Sequence, residues 1–195
     1  KVGNLDDSHR KLSIALLQQS LMDEKSGDEV RNRQLLSAHE LAPDLVPIGV
    51  TLARHLFERR RTRRAARVIE TTWRLCPHPE LVTVYREIFS EDSDKRWQDR
   101  VSRLAGLAAP ENPEVRLVIA EAAYMAGNHT SALEQLDKLL KTYLDHRAVR
   151  LIARILESKH GPAGARPWLT KLERATTPGW HCSACSGMQS EWSPY

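Results

Sequence analysis

Hydrophobic residues between positions 129 and 141 recur with the spacing of an amphipathic helix. In "HTSALEQLDKLLK" the apolar stripe consists of Ala132, Leu133, Leu136, Leu139 and Leu140. This spacing places the stripe on one face, which predicts a helix buried along one side. The preceding Gly127-Asn128 predicts a turn after an earlier apolar helix, because glycine adopts positive φ readily. The small residues Ala120 and Ala132 predict a close approach of the two helices, which would form a hairpin.

A similar hairpin pattern occurs two periods earlier and again, more weakly, in between. The earlier unit carries the apolar positions Leu52, Ala53, Leu56, Ala65, Ile69 and Trp73. The intermediate unit, 79–112, has Arg86 and Gln98 where small residues are expected. The flanking segments 9–43 and 147–178 fit by length and by their terminal prolines, and Gly161-Pro162 with Gly164 predicts an irregular last helix.

Proline spacing gives the length of the repeat. Pro43, Pro77 and Pro110 follow one another at intervals of roughly 34 residues, which is the length of a tetratricopeptide repeat, a helix–turn–helix unit. Pro178 follows after twice that interval, and the missing midpoint falls near Leu144. We therefore predict an all-α, tetratricopeptide-like helix-hairpin solenoid over residues 1–178, followed by a short cysteine-containing tail at 179–195. The alternative is an irregular helical bundle with accidental proline spacing, which would also be all-α.

Composition favours a helical protein of a reducing compartment. The chain has 195 residues, which is enough for a sizeable core, and a mild net charge of +4. Three cysteines do not form a disulfide framework. No apolar run reaches the ~18 residues of a membrane span, and the sequence begins with lysine. We therefore expect an excised soluble piece of a longer protein.

The tail contains a C-x-x-C motif at Cys182 and Cys185, with three interpretations. Two such thiolates form half of a tetrahedral zinc site, which needs two further ligands. A thioredoxin-like redox pair would follow a strand, and no βαβ pattern precedes it. The third interpretation is a pair of free thiols. We expect a truncated, zinc-knuckle-like half site that holds no metal in this chain.

Two further stretches suggest ligands, each with a simpler explanation. The segment "RHLFERRRTRRAAR" contains Arg54, Arg59, Arg60, Arg61, Arg63, Arg64 and Arg67, which suit either an anionic partner or a solvated face. No aromatic residue follows Arg59 in this run, so nucleic acid is not expected. Cys76 and His78 of "LCPHPE" suit a haem-thiolate site or a helix end at Pro77. Catalytic motifs are missing, and we expect no enzyme activity.

Four stretches resemble the HemY family, most closely its alphaproteobacterial branch: "LLSAHELAPDLVP" (35–47), "ARVIETTWRLCPHPEL" (66–81), "PWLTKLERA" (167–175) and "WHCSACSGMQSEWSPY" (180–195). The resemblance implies a full-length protein anchored in the bacterial inner membrane by two N-terminal helices, with the repeat domain in the cytoplasm. It also implies an association with late haem biosynthesis, and a second C-x-x-C beyond Tyr195 that would complete a zinc module. The flavin-dependent oxidase of the same name is a different protein. Membrane tetratricopeptide regulators of lipopolysaccharide synthesis resemble the chain in architecture only.

These observations predict a non-enzymatic scaffold whose concave face, built from the first helix of each hairpin, binds proteins, above all haem-biosynthesis enzymes. The residues expected to line this groove are Asn32, Arg54, Tyr85, Arg116 and Tyr124. The alternatives are a haem or porphyrin carrier that uses Cys76 or His78 as a ligand, and a membrane tetratricopeptide regulator of lipopolysaccharide synthesis. No cofactor is expected in this chain, and zinc is expected only in the full-length protein.

Overall fold

The structure, a computed structural model of the chain, describes residues 7–22, 27–142, 144–176, 180–181 and 188–189. These residues form α1 (Asp7–Met22), α2 (Asp28–Leu41), α3 (Val46–Glu58), α4 (Thr62–Leu75), α5 (Pro79–Ile88), α6 (Asp94–Ala105), α7 (Pro113–Met125), α8 (His129–Leu140), α9 (His146–His160) and α10 (Pro162–Leu169). A 3-10 turn follows at Leu172–Arg174. Two short antiparallel strands, β1 (Trp180–His181) and β2 (Met188–Gln189), pair Trp180 with Gln189.

The helices pair as the sequence predicts, with one exception. The hairpins α1–α2, α3–α4, α7–α8 and α9–α10 occupy the predicted repeats. The chain divides into two compact units, and the boundary lies between Glu91 and Asp92. The weak third repeat is therefore split, since α5 packs against α3 and α4 whereas α6 packs against α7. The predicted boundary between the repeat domain and the tail, at residue 178, lies outside the described residues.

The first helices of three successive repeats, α5, α7 and α9, begin with the same type of cap. His78, Asn112 and Asp145 are the N-cap residues of α5, α7 and α9, and each accepts a hydrogen bond from the backbone N–H two residues later, at 3.3, 2.9 and 2.7 Å. Such caps satisfy amides that the helix itself leaves without a partner. Pro79 and Pro113 occupy the first helical position, where a missing N–H costs nothing. Pro77 and Pro110 of the repeat signature lie just before these caps, so the signature marks where the first helices begin.

Small residues allow the two helices of a hairpin to approach closely. Ala120 and Ala132 are fully buried in the core between α7, α8 and α9, as predicted. Gly127 has a φ of +76°, which confirms the predicted turn. A Cβ atom on Gly49 of α3 would lie 2.6 Å from Oγ1 of Thr72 in α4. Side-chain volume at these contacts is therefore limited by the close approach of the helices.

The last hairpin is irregular, as its glycines and prolines predict. Gly161, at a φ of +69°, ends α9 and caps α10, which is 8 residues long and contains Pro167. A Cβ atom on Gly164 would lie 2.8 Å from the carbonyl oxygen of Leu156, so α10 packs tightly on α9. The chain then returns to the start of α9, where Thr176 N–H donates to the Leu144 carbonyl at 2.9 Å.

Polar side chains connect neighbouring repeats at the repeat length. Among the described residues, four pairs of side chains one repeat length apart are in contact: Arg10–Asp44 (2.7 Å), His39–Thr72 (3.0 Å), Arg54–Glu87 (3.0 Å) and Glu114–Arg147 (2.5 Å). The first three pairs lie in the first unit and the last lies in the second. Residues one repeat length apart in the sequence are thus also in contact in the structure.

The contact between Gly49 and Thr72 generates a stability prediction. We expect Gly49→Ala to lower the free energy of unfolding by about 1–3 kcal/mol, because the new methyl overlaps Thr72 and overpacking costs that much. This loss should exceed the gain of roughly 1 kcal/mol from the higher helix propensity of alanine. Urea denaturation measures the change.

Gly106→Ala is the matched control, since its Cβ would meet only ordinary contacts at 3.5 and 3.6 Å. This control should change the free energy of unfolding by no more than about 0.5 kcal/mol. The Gly49→Ala penalty should largely disappear in a Thr72→Ala background, and a penalty that persists there would reject the steric explanation.

Candidate functional site

The first helices of neighbouring repeats lie side by side within each unit. In the first unit α3 packs against α5, and in the second unit α7 packs against α9. Their outer positions carry exposed charges one repeat length apart: Arg54 and Glu87 in one unit, Glu121 and Arg154 in the other. We call the exposed face of α3 and α5 that carries Arg54 and Glu87 the first-helix surface of the first unit. The face of α7 and α9 that carries Glu121 and Arg154 is the first-helix surface of the second unit. At these positions each surface presents one arginine and one glutamate.

Arg54 and Glu87 form a two-pronged ion pair. Nε and Nη2 of Arg54 donate to Oε2 and Oε1 of Glu87 at 3.2 and 3.0 Å. The side chains remain 49% and 42% exposed, so a partner can reach both. The hydrogen bond to Glu87 raises the pKa of Arg54 above its ordinary value. An exposed pair of this kind contributes little to stability and is available for recognition.

Glu121 and Arg154 occupy the equivalent positions of the second unit, and both residues are exposed. Glu121 nevertheless lies close to packed helices, and the resulting desolvation raises the pKa of its carboxyl group. The positive charge of Arg147 opposes this rise, and that of Arg154 opposes it more weakly. A partner that brings a positive charge to Glu121 would therefore stabilise its carboxylate.

The predicted groove residues lie in different environments. Arg54 is on the first-helix surface, and Arg116 is half-buried on α7. Tyr85 is only 3% exposed, and its hydroxyl donates to Oε1 of Glu70 at 2.8 Å, so it belongs to the packing between α4 and α5. Asn32 lies in α2, the second helix of its hairpin. Tyr124 stacks on His129 of α8, with ring centroids 5.5 Å apart.

Within the first unit, Tyr85 is buried and Asn32 lies on a second helix, so neither shares the exposed position of Arg54. Partner binding by the five residues stays a prediction. The sequence reasoning missed Glu87, Glu121 and Arg154. Stepping along the chain from Arg54 by one repeat length at a time finds all three, so the periodicity contained the signal.

A network at the start of α9 fixes the second unit. The Arg147 guanidinium donates to Glu114 at 2.9 and 2.5 Å and to Asp145 at 3.2 and 2.7 Å. The Asp145 side chain is 1% exposed, so its charge requires this partner. Burial alone would lower the pKa of Arg147. The hydrogen bonds to Asp145 and Glu114 outweigh this effect, so the pKa of Arg147 lies above its ordinary value. The network is structural, and it holds α9 against α7.

His55 is a buried histidine next to the arginine-rich turn. It is 4% exposed, and its Nδ1 is 3.0 Å from Nη1 of Arg59. Guanidinium only donates, so Nδ1 accepts and is unprotonated. Burial lowers the pKa of His55, and the positive charge of Arg31 lowers it further. His55 is consequently neutral in the folded protein at neutral pH.

The predicted haem ligands are at the junction of α4 and α5. Cys76 is the half-buried C-cap residue of α4, and burial, followed by the negative charge of Asp44, raises the pKa of its thiol. His78 uses Nδ1 to cap α5. A haem-thiolate ligand has to be deprotonated, which this environment disfavours. Haem binding at Cys76 and His78 stays a prediction.

The described part of the chain shows neither a metal site nor a helix that could span a membrane. Cys182 and Cys185 lie outside the described residues. Within the described ranges, no group of three or more His, Cys, Asp or Glu residues is arranged to hold a metal ion. Among the described helices, none is long and apolar enough to cross a bilayer.

Comparisons with known proteins agree with this architecture. Residues 102–155 match the tetratricopeptide repeat family. The chain is similar to a crystal structure of MamA, at 15% identity over 80% of this chain and 91% of that chain, with a TM-score of 0.50. A second MamA structure (15% identity, 84% and 91% covered, TM-score 0.47) and a mutant of MamA (17%, 87% and 96%, 0.45) are also similar. No curated protein matches the sequence. The chain therefore has a tetratricopeptide-like helical repeat fold.

The Arg147 network generates a prediction for the second unit. Arg147→Met should lower the free energy of unfolding by about 3–5 kcal/mol, because it leaves Asp145 charged and buried without its guanidinium. Thermal or urea unfolding followed by circular dichroism measures this change. The matched control is Arg150→Met, at an exposed position of the same helix, which should change stability by about 0.5 kcal/mol or less. Equal effects of the two variants would contradict the structural role.

Buried His55 generates a pH prediction. Its folded pKa is lowered below the ~6.5 of an unfolded histidine, so below that pH the unfolded chain binds more protons. Stability should therefore fall as the pH drops from about 6.5 toward the folded pKa. Half-buried His39, whose pKa burial also lowers, should contribute in the same direction. Urea denaturation at a series of pH values measures the slope.

His55→Asn keeps an acceptor for Arg59 and removes the titrating ring, so it should flatten this slope. His160→Asn, at the exposed end of α9, is the control and should retain the wild-type slope. A wild-type slope in His55→Asn would contradict the assignment of the acid sensitivity to His55.

Proposed function

We propose that the protein is a non-enzymatic scaffold that binds partner proteins through the first-helix surfaces of its two units. The observation that supports this most directly is the repeated exposed charge at equivalent positions, Arg54 and Glu87 in one unit and Glu121 and Arg154 in the other. These side chains are exposed although the helices that carry them are well packed. Stacked helix pairs form extended surfaces on which a partner meets one side chain per repeat.

The charge pattern constrains the partner. At its two paired positions each first-helix surface carries one positive and one negative side chain. In the first unit these two already pair with each other. A partner with a single sign of charge would gain one contact and lose another. An extended or helical segment with alternating charges matches the surface better, because it can satisfy both side chains.

The identity of the partners is the finer part of the proposal. The resemblance to the HemY family supports haem-biosynthesis enzymes at the bacterial inner membrane, with the repeat region on the cytoplasmic side. The environment of Cys76, where burial raises the pKa of the thiol, favours this scaffold role over a haem carrier. The scaffold thus acts by holding enzymes together.

Site-specific photocrosslinking tests the proposed surfaces. A photoreactive amino acid is placed at Glu121 or Arg154 of the first-helix surface, and at exposed Lys138 or Glu134 of α8 as matched controls. The full-length protein is irradiated in its native membranes. We expect protein adducts at Glu121 and Arg154 in several-fold excess over the controls, because only the first-helix surface contacts the partner.

The identity of the adducts tests the finer proposal, since haem-biosynthesis enzymes are the expected partners. Adducts that form equally at Lys138 and Arg154, or at neither position, would overturn the surface assignment. Reproducible adducts at Arg154 with proteins unrelated to haem synthesis would support the surface and reject the pathway.

A further inference from the structure

The connection between α3 and α4 concentrates positive charge. We call residues 59–64 the arginine turn. Four of its side chains, those of Arg60, Arg61, Arg63 and Arg64, are exposed. Within the described part of the chain, these side chains have no hydrogen bond or ion pair. Together with Thr62 they line an open cleft of about 560 Å³.

The remaining arginine of the turn has a structural role. Arg59 is half-buried and contacts both Asp28 of α2 and His55 of α3. It therefore anchors the turn to the neighbouring helices. Asp28 is thereby engaged. Arg61 also lines a neighbouring cleft with Asp28 and Glu29, whereas Arg60, Arg63 and Arg64 line only the first of these two clefts and are available for a ligand.

The start of α4 adds backbone donors to this cleft. Arg61 is the N-cap residue and makes no side-chain cap. Among the described residues, nothing accepts from the backbone N–H groups of Thr62 and Arg63. The first turn of α4 contains no acidic residue and two arginines, which oppose the helix dipole. A bound anion would accept hydrogen bonds from these amides and offset the repulsion between the two arginines and the positive end of the helix dipole.

The backbone of the turn is also held in a conformation that an arginine seldom adopts. Arg60 has a φ of +57°, where glycine or asparagine fits with less strain. The stretch 54–67 contains seven arginines and no lysine. Guanidinium differs from ammonium in its planar fork of donors, which matches the oxygens of a phosphate in a two-pronged contact.

We propose that the arginine turn binds a phosphate group, carried either by a soluble phosphate compound or by a lipid headgroup. Arg63, Arg64 and the uncapped amides of α4 contact the phosphate oxygens, and Arg60 and Arg61 close the cleft around it. This site is separate from the first-helix surfaces and adds a second type of ligand to the scaffold. Arg67 and Arg74, further along α4, lie outside it.

The experiment compares two double variants of equal charge. Arg63→Gln/Arg64→Gln removes the proposed contacts, and Arg67→Gln/Arg74→Gln removes two other exposed arginines from the same helix. Binding to inorganic pyrophosphate is measured by calorimetry. Binding to vesicles of phosphatidylglycerol in phosphatidylcholine is measured by sedimentation, with pure phosphatidylcholine as the reference.

We expect the first variant to weaken binding by about tenfold or more, since each charge-assisted hydrogen bond is strong. The control should weaken it less than about twofold, because Arg67 and Arg74 do not line the cleft and make no direct contact with the phosphate. Arg63→Gln/Arg64→Gln should also raise the unfolding midpoint, since it relieves the repulsion at the start of α4. Binding to pyrophosphate alone identifies a soluble phosphate, and binding to the vesicles alone identifies a headgroup.

Three results would overturn the proposal: no binding of the unmodified chain to either probe, equal weakening by both variants, or citrate binding as strong as that of pyrophosphate. The last result would show a general anion surface, because citrate offers carboxylates and no phosphate.

Discussion

Contacts between side chains one repeat apart hold successive hairpins in fixed positions. Amphipathic helices alone would allow the hairpins to slide or rotate, because apolar packing has little directionality. Hydrogen-bonded pairs such as Arg10–Asp44 and Glu114–Arg147 remove that freedom, since each requires one particular alignment. Their energies differ greatly, because the exposed Arg54–Glu87 pair is screened by solvent whereas Asp145 beside Arg147 is buried. All of these pairs join residues 33 or 34 positions apart, so each one requires neighbouring repeats of the same length.

Much of the fold follows from local rules that can be applied to the sequence alone. The apolar stripe around Leu136, the turn at Gly127 and the boundary at Pro77 depend on residues close together in the chain, and the structure confirms all three. The division between α5 and α6 depends on which helices pack together, and spacing rules contain no such information. The poor pattern at Arg86 and Gln98 indicated only that this repeat is unusual.

The candidate site was less predictable, since orientation decides whether a side chain is available. Tyr85 lies on a first helix, as a groove residue should, yet its hydroxyl reaches Glu70 and its ring is buried. Nothing in the sequence distinguishes that outcome from exposure. Charged positions are more reliable guides, because long charged side chains seldom become buried without partners. Arg54 and its equivalents one, two and three repeats later follow this rule.

The recurring helix caps limit how such a chain can change in length. His78, Asn112 and Asp145 each start a first helix at the same position of the repeat. Adding or removing one complete repeat would keep each of these caps at the start of its helix. One extra residue inside a helix would instead rotate all following side chains by about 100° and separate them from their partners. Evolution can therefore lengthen this protein easily by duplicating whole repeats, and only with difficulty by single insertions within its helices.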